Sequence, residues 1–194
     1  VSRDRKMVMF PSSKEFIENK KISDRTYAWC LLNGSYNESG IYIDKNYNSG
    51  ARDLGIDRRT FKKRLQILIE NGYIEERENC YVIPRKELQY KRYIYRDIAE
   101  GLYNSGMENI IKLFIVLSTY HDRYKGNQNE DFSYRLLLKR IGLPYENNDK
   151  KENNKIKNML DKLVELGLLE YERSPRYNSD NFGAKQFVVT RIGD

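Results

Sequence analysis

Residues 54–74 read LGIDRRTFKKRLQILIENGYI. Gly55 ends one helix, Asp57 stands where a polar cap starts the next, and Gly72 stops that helix in the usual C′ position. Phe61, Leu65, Leu68 and Ile69 recur at i, i+4, i+7 and i+8, one face of an α-helix. Residues 58–64 hold five basic side chains (Arg58, Arg59, Lys62, Lys63 and Arg64) and no acid. Working outward, Asn48 or Ser49 caps a short helix over 51–54. Ile41-Tyr42-Ile43 alternates like a strand, and 73–77 and 80–84 read as two short strands joined near Glu78-Asn79. Further upstream, Ser23 or Asp24 caps a helix running to Leu32. Residues 11–19 form a short amphipathic helix with Phe16 and Ile17 inward.

The second half of the chain repeats the first. Aligning Gly72 with Gly167 puts Leu68 on Leu163, Leu65 on Leu160, Phe61 on Ile156 and Ile74 on Leu169. Leu54-Gly55-Ile56 falls on Ile141-Gly142-Leu143, and Tyr27–Leu32 falls on Leu113–Ser118. A single insertion near residues 144–151 (PYENNDKK) accounts for the jump in offset. Two copies of one unit follow, at 1–90 and 91–194, with the boundary just after Pro84. The second copy ends in a longer hairpin, with strands expected over 168–173 and 185–191.

Composition limits what such a chain can do. The 194 residues carry 35 Lys+Arg against 28 Asp+Glu, a net charge of +7, with 39% hydrophobic residues. That content supports small packed cores and excludes wholesale disorder. No apolar run approaches the roughly 18 residues that span a bilayer, and no signal-peptide pattern opens the chain, so a cytoplasmic protein without a membrane partner is expected. Cys30 and Cys80 are too few for a disulfide scaffold or a four-cysteine zinc site, and His121 is the sole histidine. There is no phosphate-cradling glycine loop, nucleophile elbow or HExxH, so no enzyme activity, cofactor or metal is expected. Trp29 and the two cysteines read as packing residues. The 16 tyrosines could stack on bases, but they are spread along the chain and read as core and boundary residues.

The order helix, strand, short helix, turn, long helix, hairpin, carried by Ala51–Ile83 and more weakly by Leu136–Val189, resembles the winged helix-turn-helix. The expected fold is therefore α+β, mainly helical, with two tandem winged-helix units. The resemblance implies that the third helix of each unit enters the major groove of duplex DNA and that the hairpin touches the flanking backbone. Phe10-Pro11, a short helix and a Tyr/Leu-rich helix ahead of the core resemble the start of the replication initiator A family of low-GC Gram-positive plasmids and phages. That resemblance implies a mobile-element protein acting on a bipartite site such as a replication origin, with replication or transfer proteins as further partners. The same design serves transcriptional regulators, accessory proteins of conjugation and protein-interaction modules. The chain begins at Val1, which leaves room for an initiator's helicase-loading part outside it.

Residue by residue, the DNA contacts of the first unit are expected at Arg58, Arg59, Lys62, Lys63 and Gln66. Arg reads guanine through paired bonds, and Lys neutralises phosphate. In the second unit the aligned positions are Asn153, Asn154, Lys157 and Asn158, and the longer hairpin adds Arg173, Arg176 and Lys185. Residues 1–97 hold 20 basic and 14 acidic side chains, whereas 98–194 hold 15 and 14. The first unit should therefore dominate non-specific affinity. Two units in one polypeptide are expected to act as an internal pseudo-dimer on double-stranded DNA.

Overall fold

A computed structural model describes residues 6–85, 90–122, 131–144, 150–173 and 187–193. By its internal contacts the chain divides into two units, Val1–Ile111 and Lys112–Asp194. This division falls later than the repeat boundary at 90/91, because strand and helix residues beyond 90 pack back onto the first unit.

The first unit runs β1 (Met7–Pro11), α1 (Lys14–Ile17), α2 (Asp24–Asn33), β2 (Ser35–Asn37), β3 (Gly40–Asp44), α3 (Tyr47–Leu54), α4 (Arg58–Glu70), β4 (Glu75–Glu76), β5 (Cys80–Pro84), β6 (Lys91–Tyr95) and α5 (Arg96–Asn104). β2, β3, β5 and β4 form an antiparallel sheet in that order, so the strand between α2 and α3 pairs with the second strand of the late hairpin. β1 and β6 form a separate antiparallel ribbon. The core gathers Phe10, Phe16 and Tyr27, whose rings meet at 5.5–5.8 Å, and Tyr73 closes on Phe16 at 5.0 Å. Each such ring pair adds about 0.5–1.5 kcal/mol beyond the area it buries.

α6 (Ile110–Asp122) crosses the division. The second unit continues with β7 (Asp131–Phe132), α7 (Tyr134–Arg140), α8 (Lys150–Glu165), β8 (Leu169–Arg173) and β9 (Phe187–Ile192). Its sheet order is β7-β9-β8, the same relation that β3, β5 and β4 have in the first unit. Leu137, Leu138, Ile156, Leu160 and Leu163 are fully buried.

The repeat is visible in local geometry. Gly55 and Gly142 both take left-handed backbone angles, at φ 66° and 72°, a region open to glycine at little cost. After them Ile56 N–H donates to the Ala51 carbonyl and Leu143 N–H to that of Leu138, each closing the preceding helix in the same way. Gly72 and Gly167 end α4 and α8 alike, with Tyr73 N–H on Leu68 and Leu168 N–H on Leu163.

Several boundaries differ from the sequence-based expectation. The short helix expected over 51–54 starts at Tyr47, and its cap is Asn46, whose side chain accepts from Ser49 N–H, not Asn48 or Ser49. The first hairpin strand spans Glu75–Glu76 instead of 73–77, because Tyr73 and Ile74 are drawn into the core. The last strand is Phe187–Ile192 instead of 185–191, and Lys185 lies outside the described residues.

Candidate nucleic-acid interface

α4 turns its apolar stripe inward. Phe61, Leu65 and Leu68 are buried, and Ile69 is half-buried at the stripe's margin. The Trp29 ring of α2 meets Phe61 edge-on at 5.2 Å. Its indole N–H donates to Asp53 Oδ2 at 3.1 Å, so α2 holds both α3 and α4. Where α3 crosses α4, Gly50 lies directly over the Phe61 ring.

This packing leaves Arg58, Arg59, Lys62, Lys63 and Gln66 exposed on the opposite face. Asp57 caps the helix. Its carboxylate accepts from Thr60 N–H at 2.9 Å and from the Thr60 hydroxyl at 2.5 Å, and these bonds hold it below its ordinary value. Gln66 donates to Glu70 at 3.2 Å. Arg64 departs from the row: it is half-buried and donates to Glu108 at 2.9 Å and to the Ser23 hydroxyl at 3.3 Å. Burial alone would push the Glu108 carboxyl up, but hydrogen bonds with Asp24 and Ser23 and the guanidinium groups of Arg64 and Arg25 hold it below its ordinary value. The buried Asp24 carboxylate also accepts from Asn109 N–H and Ile111 N–H, both at 2.9 Å. Four of the five cations in residues 58–64 thus face solvent, and the fifth is structural.

Two of the exposed α4 cations are ordered by an aromatic ring absent from the sequence-based site. Lys62 Nζ lies 4.5 Å and the Arg58 guanidinium 5.7 Å from the centre of the Tyr47 ring. The Tyr47 hydroxyl bonds to the Tyr81 hydroxyl. Burial and that bond push the Tyr81 phenol up, so it stays neutral. Lys45 lies 5.3 Å above Tyr81 and pairs with Glu76 at 2.9 Å. Arg77 stacks on Tyr42 at 5.5 Å and donates to its hydroxyl at 2.9 Å. At exposed sites a cation over a ring gains about 0.5–1 kcal/mol. Arg58, Lys62, Tyr47, Tyr81 and Lys45 thus form a basic and aromatic strip from α4 across the start of α3 to the sheet, whereas Tyr42, opposite Val82, lies on the other sheet face, and its Arg77 also pairs with Glu75 at 3.7 Å. The available signal for Tyr47 was its place next to Asn46, a good cap for a helix one turn longer than expected.

In the second unit Asn154, Lys157 and Asn158 are exposed on α8, and Asn153 is half-exposed. Lys157 pairs with Asp161 at 3.0 Å. Arg173 is exposed at the end of β8. Arg176 lies, like Lys185, outside the described residues. Val164 near the end of α8 is 46% exposed and is bordered by Asp161 and Glu165 of α8 and Glu170 of β8, which pair with Lys157, Lys162 and Arg191.

Among the described residues no His/Cys/Asp/Glu group is arranged to hold a metal ion, and no helix is long and apolar enough to cross a membrane. No protein-family model, curated protein or solved structure matches the chain.

Proposed function

We propose that the chain is a non-enzymatic double-stranded DNA-binding protein built from two winged-helix units, with α4 as the principal DNA-reading helix. The single observation that carries this is the exposed row Arg58, Arg59, Lys62 and Lys63, opposite the buried stripe of Phe61, Leu65 and Leu68. Solvated helix faces usually mix charges, and this one does not. The fold reading is supported by the strand order shared by both units, in which the strand before the helix pair joins the far strand of the hairpin. Lys62 and Arg58 over Tyr47 are held against an aromatic floor, so less side-chain freedom is lost on contact.

On the family resemblance, the role is at a bipartite site of a plasmid, phage or other mobile element, such as a replication origin. Transcription regulation and conjugative transfer are the alternatives. For the second unit a protein-contact role is favoured by one observation: Asp161 and Glu165 border the exposed Val164 on α8, and Lys157 is already paired.

The test compares the wild-type chain with Arg59→Ala/Lys63→Ala on a labelled duplex of about 20 base pairs by fluorescence anisotropy. Neither side chain is in an ion pair or ring contact among the described residues, so folding should be untouched. The proposal expects a loss of roughly tenfold or more near 0.1 M salt. Equal affinities would refute it.

A further inference from the structure

β1 and β6 pair with Val8 opposite Ile94 and Met9 opposite Tyr93. Val8, Phe10 and Ile94 point into the core, at 3%, 0% and 3% exposure. Strand alternation then turns Met7, Met9, Lys91 and Tyr93 to the other face. A ribbon face in water is ordinarily polar. Here Met7 is 50% and Tyr93 54% exposed. This face borders a cleft of about 860 Å³ within the first unit, which Tyr36 of β2, 56% exposed, lines from the other side. Tyr36 and Tyr93, far apart in sequence, are therefore gathered by the fold around one cleft.

The cations there have a distinct chemistry. Arg85 and Lys91 line the cleft, and neither side chain is in an ion pair among the described residues. Lys91 Nζ lies 5.8 Å from the Tyr93 ring centre. Glu38 is the one acid of the described lining. An apolar protein partner would have to bury these cations without counter-charges, which is costly. Duplex DNA offers phosphates but keeps its base faces stacked. A ligand with free π-faces and regularly spaced negative charges satisfies both the rings and the cations.

We propose that this cleft binds unpaired nucleotides of a single strand, with bases stacked on Tyr36 and Tyr93 and phosphates met by Arg85 and Lys91. The site is separate from the α4 row and does not depend on the duplex reading.

The experiment measures anisotropy of labelled oligo(dT) of about 12 nucleotides, and of a duplex, with the full chain. Tyr36→Leu and Tyr93→Leu should each weaken oligo(dT) binding about tenfold, Phe at either position should retain it, and duplex affinity should stay unchanged. Arg59→Ala/Lys63→Ala should do the reverse, losing duplex and retaining the tyrosine-dependent oligo(dT) signal. Both tyrosines are exposed, and Trp29 emission checks that the unit stays folded. Absence of oligo(dT) binding, or Leu variants that bind like wild type, would overturn the proposal. So would Leu variants that lose self-association in sedimentation while keeping oligo(dT) affinity, since the face would then serve a protein contact. Loss of duplex binding alone would leave this proposal standing and remove only the reading of α4.

Discussion

Replacing Gly50 by Ala sets two effects of opposite sign against each other. Gly50 lies inside α3, and helix propensity alone favours Ala there by about 1 kcal/mol. A Cβ at Gly50, however, would stand 2.1 Å from Phe61 Cζ, 2.5 Å from Cε1 and 2.7 Å from Cε2. The ring edge must retreat by about 0.9 Å merely to reach 3.0 Å, a separation below which real Cβ atoms are essentially never found. Phe61 is 1% exposed and is backed by Trp29, so the ring cannot retreat without moving α2 or α3. Overpacking of this kind costs about 1–3 kcal/mol, and a clash with three ring atoms belongs at the upper end. The net expectation is a loss of about 2 kcal/mol, or about 8–10 °C in Tm for a unit of this size. The assay follows the emission of Trp29, the sole tryptophan, which reports unfolding of the first unit alone. Phe61→Leu in the Gly50→Ala background should recover part of the loss, because it removes the atoms that clash. A Gly50→Ala chain at least as stable as wild type would refute the account of how α3 and α4 pack.

Removing Arg64 should behave differently from removing its basic neighbours. Arg64→Ala breaks a pair whose side chains are 26% and 30% exposed, and it should cost about 1–2 kcal/mol of stability, less than a fully buried pair. Because the Glu108 carboxyl is held below its ordinary value, its contribution is complete at neutral pH and is lost as pH falls through the ordinary glutamate range toward the folded value. An acid titration of Trp29 emission should therefore show Glu108→Gln flattening the acid limb of the stability profile. Lys157→Ala should lower non-specific duplex affinity less than Lys62→Ala, since Lys157 already pairs with Asp161 in a nearly neutral half. Equal losses in parallel duplex titrations would show that the charge asymmetry has no consequence for binding.

The long helix α4 was readable because its determinants are local. Asp57 caps, Gly72 terminates at φ 75°, and the i, i+4, i+7 residues Phe61, Leu65 and Leu68 are buried. The start of α3 was hidden by Gly50, a poor helix former kept where no side chain fits over Phe61. The β1–β6 ribbon was not readable, because partners such as Val8 and Ile94 are far apart in sequence and leave no short-range signal. Neither was β2, whose Ser35–Asn37 composition reads as loop. Within the site, charge alone could not separate Arg64 from the exposed cations. Its spacing three residues after Phe61 and four before Leu68, beside the buried stripe, carried that information. The aromatic floor under Arg58 and Lys62 depends on α3 meeting α4 and β5, a tertiary juxtaposition that single-helix periodicity does not report.

If the α4 row meets duplex phosphates, duplex binding weakens steeply with added salt. Four to eight phosphate contacts predict a slope of log K against log salt of roughly −4 to −7. Lys62→Ala and Lys63→Ala should each make that slope shallower by about 0.9. A slope near zero, or one unchanged when both lysines are removed, would contradict the claim.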